Sequence, residues 1–398
     1  MSQTTVTKTA QAEQLAATLA ELATPCLILD AERMERNVAR LKGRLDGLGV
    51  TLRPHLKSSK SVDVARRVMT SPSGPATVST LLEAEQFAAA GVRDIIYAVG
   101  IAPSKLPQVL SLRAGGADVS VVLDTVEQAR AVAQASRKAS RKAATRIPAL
   151  IEIDCDGHRS GVLPTDRQLL LDIGHALEDG AELRGVLTHA GDSYLARGAD
   201  ALRQCAEVER RSVVDAATIL REAGLPCPVV SVGSTPTAHN AADLSGVTEV
   251  RAGVFVFFDL VMTGIGVCQV DDIALSVLAT VIGHQRDKGW ILIDAGWMAM
   301  SQDRGTRRQA VDQGYGLVCD TAGVPYPELI VADANQEHGI IKVRPGSGGA
   351  LPDLAIGDRV RILPNHACAT GAQHRAYHVV RGVSDKVEAE WPRFGGWR

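Results

Sequence analysis

Lys57, in the run Arg53-Pro54-His55-Leu56-Lys57-Ser58-Ser59-Lys60, is the residue whose setting most invites chemistry. A lysine that attacks an aldehyde must be held at a rigid strand end and kept neutral by burial or by neighbouring cations. A short apolar strand precedes Lys57, and Arg53, His55 and Lys60 supply the positive crowding. A solvated basic turn has the same local composition. Further clusters therefore matter. Gly233-Ser234-Thr235-Pro236-Thr237 follows a β-branched run and offers glycine backbone with three hydroxyls, donors that suit a phosphate; Ala252-Gly253-Val254 could add backbone N–H groups. An ordinary polar strand-to-helix turn is the alternative reading. His366 and Cys368 stand two residues apart after a strand, on one side of an extended segment, and both could reach one metal ion. Two protein ligands leave positions open for water or substrate, as a catalytic ion requires. A buried thiol beside a hydrogen-bonded histidine fits the same spacing. Asp154 to Gly161 gathers Asp156, His158 and Arg159, where Arg159 could meet an anionic cofactor oxygen or serve a structural ion pair. Gln336-Glu337-His338-Gly339 is open in the same way.

The elements that must position these residues alternate. From Pro25 to about Asp259, short β-branched runs alternate with longer helical segments, the pattern of parallel βα units. Strands are expected at Cys26-Leu27-Ile28-Leu29, Val50 to Arg53, Ala76 to Ser79, Ile95 to Tyr97, Val119 to Val122, Ala149 to Ile153, Gly185 to Thr188, Val229 to Val232 and Glu249 to Arg251. Asp30 can cap a helix in which Met34, Val38, Leu41, Leu45 and Leu48 form one apolar stripe. About eight repeats suggest a closed (β/α)8 barrel, whose chemistry lies at the C-terminal strand ends, where the polar clusters fall. After about Thr263 the texture becomes alternating strands broken by Gly, Pro and Asp, an antiparallel β domain without helices.

With 398 residues, 45% hydrophobic, 22% charged and a formal net charge of -2, the chain reads as an ordinary globular protein of two domains or one large one. No basic block points to nucleic acid, and no apolar run is long and charge-free enough to span a membrane. The first 24 residues carry Lys8 as their one base, include Glu13 and Glu21 and have no apolar core, so they resemble neither a secretory nor a mitochondrial leader. A cytoplasmic enzyme is expected. The cysteines at 26, 155, 205, 227, 268, 319 and 368 form no CxxC pair and no disulfide framework.

Taken together, TPCLILD, RPHLKSSK, VSTLLEAEQF, EIDCDGHRSGV, THAGDSY, VVSVGSTPT, VTEVRAGVFVFFDL, DAGWMAMSQDRG, NQEHGI and ILPNHACAT resemble the fold-type III pyridoxal-phosphate enzymes of the D-serine dehydratase and D-threonine aldolase group. The similarity runs in order from Pro25 nearly to the C-terminus. It implies an alanine-racemase-like (β/α)8 barrel over 25–263 and a C-terminal antiparallel β domain over 264–398, with residues 1–24 attached to the latter and a homodimer as the assembly. It implies pyridoxal 5'-phosphate on Lys57 and a divalent zinc, manganese or cobalt ion at His366 and Cys368, the aldolases having an aspartate where this chain has Cys368. Tyr194 matches a tyrosine near the pyridine ring, and Gly233, Ser234 and Thr235 with Gly253 and Val254 match the phosphate site. Ser79, Thr188 and Arg159 are carried over as further members of the cofactor pocket. No arginine is recognised as counterpart of the one that racemases place at the ring nitrogen. The implied activity is that of a lyase eliminating water from a small D-3-hydroxy amino acid: 3-hydroxyaspartate would give oxaloacetate and ammonia, and serine would give pyruvate. A β-carboxylate on the substrate would need a cation, from Arg304, Arg307 or Arg375. The rivals are a retro-aldol lyase on the same cofactor and a non-catalytic cofactor-binding protein, which generally lacks the second domain.

Overall fold

The computed structural model describes residues 17–140 and 146–397. Strand β1 (Cys26–Asp30) is followed by eight parallel strands: β2 (Thr51–Pro54), β3 (Ala76–Val78), β4 (Asp94–Gly100), β5 (Asp118–Leu123), β6 (Pro148–Ile153), β7 (Glu182–Thr188), β8 (Val229–Val232) and β9 (Glu249–Ala252). These eight form one sheet in the order β2-β9-β8-β7-β6-β5-β4-β3. The sheet closes into a barrel where Leu56 N donates to Thr77 O at 2.8 Å, beside a bridge between His55 and Thr77. Lys57 therefore leaves the barrel at the seam. Strands covered on both faces read as continuous apolar runs, and β6 is buried at every position.

Helices on the outside carry the expected stripes. In Ala31–Gly47, Met34, Val38, Leu41 and Leu45 are buried, and the Asp30 carboxylate accepts from Glu32 N and Arg33 N at 3.0 and 3.2 Å. That capping holds the first turn against the four orphan N–H groups a helix start presents.

The second sheet has nine strands. β10 (Leu275–Gln285), β11 (Trp290–Ile293), β12 (Gly316–Cys319), β13 (Pro325–Ala334), β14 (Gly339–Val343), β15 (Arg359–Pro364), β16 (Ala376–Val380) and β17 (Ala389–Pro392) are joined by β1 in the order β11-β14-β13-β12-β15-β10-β1-β16-β17. The strand expected to open the barrel thus lies elsewhere. β1 pairs antiparallel with β10, Leu27 opposite Val277, and parallel with β16, Ile28 opposite His378. The barrel strands begin at Thr51, and a division at residue 25 puts β1 on the wrong side. A strand buried on both faces looks the same in either sheet. Residues 17–24 also go with this second sheet: Thr18 bridges Lys386, and Leu19 and Leu22 pack with Ile28, Leu278 and Val387. The leader and attachment expectations for residues 1–16 lie outside the described residues. The second domain is not helix-free, since Trp297–Met300 and Ala367–Gly371 form short helices at its inner edge. Among the described residues no helix is long and apolar enough to cross a membrane.

Candidate active site

A cavity of about 440 Å3 opens at the C-terminal ends of the barrel strands, where the second domain covers them. Lys57, Ser79, Arg159, Tyr194, Gly233, Ser234, Thr235, Gly253, Val254, His366 and Cys368 all line it. Residues more than 300 positions apart meet there.

On the Lys57 side, His55 is half-buried, and desolvation followed by the charges of Lys57, Arg251 and His189 holds its imidazole well below the ordinary histidine value. It is a neutral neighbour of Lys57. Ser79 Oγ lies 3.5 Å from His55 Nε2. Lys60, by contrast, is committed: its ammonium is 3.2 Å from Glu83, whose other oxygen accepts from Ser79 N at 2.8 Å.

Across the cavity, the loops after β7 and β8 are tied to one carboxylate. Glu209, buried on the helix Ala199–Glu222, accepts from Ala190 N at 3.0 Å and from Gly233 N at 2.9 Å. Burial raises its carboxyl above the ordinary value, opposed by these bonds, Thr237 and the charge of Arg251. His189 Nδ1 bonds the Gly233 carbonyl, and burial pushes this imidazole down to about 3. Tyr194 stacks at a tilt 6.2 Å from His189, and burial raises its phenol. Gly233 and Gly253 are needed as such: a Cβ at the first would lie 2.0 Å from Arg251 O, and one at the second 2.9 Å from Ser58 Oγ. Ser234 Oγ accepts from Thr237 N at 3.2 Å and braces its own loop, while Thr235 Oγ1 accepts from Phe255 N at 3.3 Å and ties that loop to the segment after β9.

Two expected residues behave differently. Thr188 does not line the cavity; its hydroxyl donates to Ile153 O at 2.6 Å, because the residue is fully buried between neighbouring strand ends. Arg159 reaches the rim but is 58% exposed and 3.3 Å from Glu152. A further arginine, Arg251, which the motif reading passed over, is buried two residues before Gly253 in the cavity wall. Its guanidinium donates to Ser231 Oγ and to Thr188 O, both at 2.6 Å. Behind it the chain of polar groups continues, Ser231 to Glu249 at 2.7 Å and Glu249 to Arg53 at 2.7 Å. A charged residue on a fully buried strand, in register with Arg53 on β2, is the signal in the sequence that could have singled it out.

His366 and Cys368 do not lie on an extended segment. β15 ends at Pro364, and His366 caps the short helix that holds Cys368 in its first turn. Asp259 fixes that helix, accepting from Ala367 N and Met262 N at 3.0 Å each. His366 Nδ1 is 2.6 Å from Asp303, also in the cavity wall and missed in the sequence. Burial acts to lower the imidazole, but Asp303 and Cys368 outweigh it and push His366 up to about 11. Burial acts to raise the thiol, yet bonding to His366 and the charges of His366 and Lys57 hold Cys368 below its ordinary value. The Cys368 thiol also bonds Ser58 Oγ at 3.2 Å, next to Lys57. Among the described residues no group of three or more His, Cys, Asp or Glu side chains is set to hold a metal. A pair is what remains, with Asp303 orienting the histidine as outer carboxylates orient metal-ligating imidazoles.

The model of the alanine racemase N-terminal domain matches residues 29–261, and that described as "Putative serine dehydratase domain" matches 274–380. The D-threo-3-hydroxyaspartate dehydratase of Delftia sp. (strain HT23) is 55% identical over 96% of this chain and 99% of its own length. This chain belongs to the D-threo-3-hydroxyaspartate dehydratase family. The solved structure of that Delftia dehydratase superposes with a TM-score of 0.91 at 55% identity, covering 96% of this chain and 100% of the other. Solved structures of D-threo-3-hydroxyaspartate dehydratase also include a histidine-to-alanine variant and a cysteine-to-alanine variant in the metal-free form, 55% and 54% identical to this chain. More distant relatives align over nearly the whole chain. A D-serine dehydratase of Dictyostelium discoideum is 28% identical over 93% of this chain and 96% of its own, and a 3-hydroxy-D-aspartate aldolase of Paracoccus denitrificans (strain Pd 1222) is 29% identical over 94% and 92%.

Proposed function

We propose that this chain is a pyridoxal-phosphate- and divalent-metal-dependent lyase that eliminates water from a D-3-hydroxy amino acid. The preferred reaction is D-threo-3-hydroxyaspartate to oxaloacetate and ammonia, with D-serine to pyruvate as a second. The observation that carries this reading is 55% identity over nearly the whole chain to a dehydratase of that substrate, with Lys57, His366 and Cys368 lining one cavity. Zinc, manganese or cobalt as the ion, a homodimer and a cytoplasmic location belong to the same reading.

The residues present fit both groups. Two glycines with no room for a Cβ, with Ser234, Thr235 and Val254, would cradle a phosphate, and Lys57 would hold the aldehyde carbon. Ser79, Tyr194 and Arg159 would complete the pocket, with Thr188 bracing Arg251 from behind. His366 and Cys368 would hold the metal, one imidazole nitrogen being fixed by Asp303. When bound, the cofactor supplies an electron sink for the pair left at Cα, and the metal a Lewis acid for the β-hydroxyl.

The remaining work falls to the chain. Lys57 Nζ takes the Cα proton. His55, beside it, and His189, across the cavity, stay neutral, so neither competes as a cation for the substrate carboxylate. Lys57 approaches from one side of the cavity, which selects one configuration at Cα. Incubation of metal-replete holoenzyme with the 3-hydroxyaspartate isomers, D-serine and D-threonine tests the reading: ammonia and a 2-oxo acid are expected, whereas glycine and an aldehyde would assign the chain to the aldolases.

A further inference from the structure

Beside the main cavity lies a second chamber of about 970 Å3. Tyr194, Leu195, Asp303 and Gly305 line both, so the two are continuous next to His366 and Cys368. Their walls differ in charge. The side chamber is lined by Arg197, Arg304, Arg307 and Arg308 against a single carboxylate, Asp303, which is already held by His366. Two of these guanidiniums are engaged. Arg304 is 2.8 Å from Asp312 and lies over the Tyr315 ring, and Arg197 donates to Arg308 O at 2.8 Å. Arg307 and Arg308, on the 3-10 helix Gly305–Arg308, are exposed and have no hydrogen-bond or ion-pair partner for their side chains among the described residues.

We infer that Arg307 and Arg308 hold the second carboxylate of a dicarboxylic 3-hydroxy amino acid, and so set the preference for 3-hydroxyaspartate over serine. The inference rests on the proposed dehydration and adds to it the residues that choose the substrate. In 3-hydroxyaspartate the carbon bearing the leaving hydroxyl also bears the carboxylate. A hydroxyl directed to His366 and Cys368 keeps that carboxylate within one carbon of them, and Asp303, 2.6 Å from His366 Nδ1, lines the side chamber as well as the main cavity. Serine has hydrogen there. Asp303 would repel a carboxylate if its oxygens faced the chamber freely, but one of them is engaged by His366 Nδ1 at 2.6 Å. Guanidiniums suit the task, since their fork matches a carboxylate and they stay charged at any working pH. Arg375 lines neither cavity, and Arg304 is neutralised by Asp312.

Holoenzymes carrying R307A, R308A and the double substitution would be compared with wild type on D-threo-3-hydroxyaspartate and D-serine. D-malate, which lacks the amine and cannot react, would be titrated by calorimetry. In the double variant kcat/KM for 3-hydroxyaspartate should fall about 100-fold, mostly through KM, with D-serine changed less than about threefold. D-malate binding should weaken in parallel, and Lys at both positions should restore part of it. Both side chains are exposed, so the fold should tolerate the changes; R307Q and R308Q repeat the test with polar surface retained. Equal losses on both substrates, or no loss on either, would overturn the inference. If wild type releases glycine from 3-hydroxyaspartate, the dehydratase reading fails, while the D-malate titration still decides whether these arginines bind a dicarboxylate.

Discussion

Lys57 and Lys60 sit three residues apart in one basic run, and their surroundings separate them. Lys60 is bound to the buried Glu83, while Lys57 is left facing the cavity. Lys57→Ala should therefore give a colourless, inactive protein of normal stability. Lys60→Ala should keep the bound cofactor's yellow colour but lose about 3 kcal/mol in denaturant unfolding, because Glu83 is left buried without its cation. The metal pair makes a second expectation. His366→Ala should empty the site by elemental analysis while the colour persists, and Cys368→Asp should move metal preference from zinc toward manganese, since a hard carboxylate replaces a soft thiolate. At this scale the sequence was legible where residues recur in ordered motifs. Arg251 and Asp303 were legible only as letters inside such motifs, because their roles depend on Ser231, Thr188 and His366, which are distant in the chain.

Elements position these groups through few struts, and Glu209 is the clearest. One carboxylate oxygen on the helix Ala199–Glu222 holds the loop after β7 and the loop after β8 together. Glu209→Ala should loosen both and weaken cofactor retention about tenfold, measured by equilibrium dialysis, whereas Glu209→Gln keeps an acceptor and should recover most of it. The helix itself is evident from its apolar stripe, but nothing in its sequence says which polar residue turns inward. The same holds for β1. Its five buried residues announce a strand between two faces and are silent on which sheet supplies its neighbours. His366 and Cys368 show a related gap: a two-residue spacing suits a strand or a helix start, and Asp259 decides in favour of the helix.

For the molecule as a whole, buried neutral imidazoles set the response to acid. His239, between the helix Ala31–Gly47 and the barrel, is pushed by burial from 6.5 down to about 3, with the charges of Arg40 and Arg44 adding to the effect. Between those values the unfolded chain binds a proton that the folded one refuses, so stability is full above the unfolded value and is lost as pH falls toward the folded one. His239→Leu should flatten the fall in Tm between about pH 6 and pH 4 by one proton's share, up to ~1.4 kcal/mol per pH unit. An unchanged slope would place the acid sensitivity elsewhere. A different demand arises from the chain's path. β1 is made before the barrel strands, yet its neighbours β10 and β16 lie beyond the entire barrel, so the growing polypeptide exposes the apolar run Cys26 to Leu29 until residue 275 emerges. At ribosomal speeds that wait is on the order of tens of seconds. Synthesis should thus be the dangerous moment for this protein, with β1 the segment that a nascent-chain chaperone must shield, and a fragment starting at residue 264 should aggregate for want of the strand between β10 and β16.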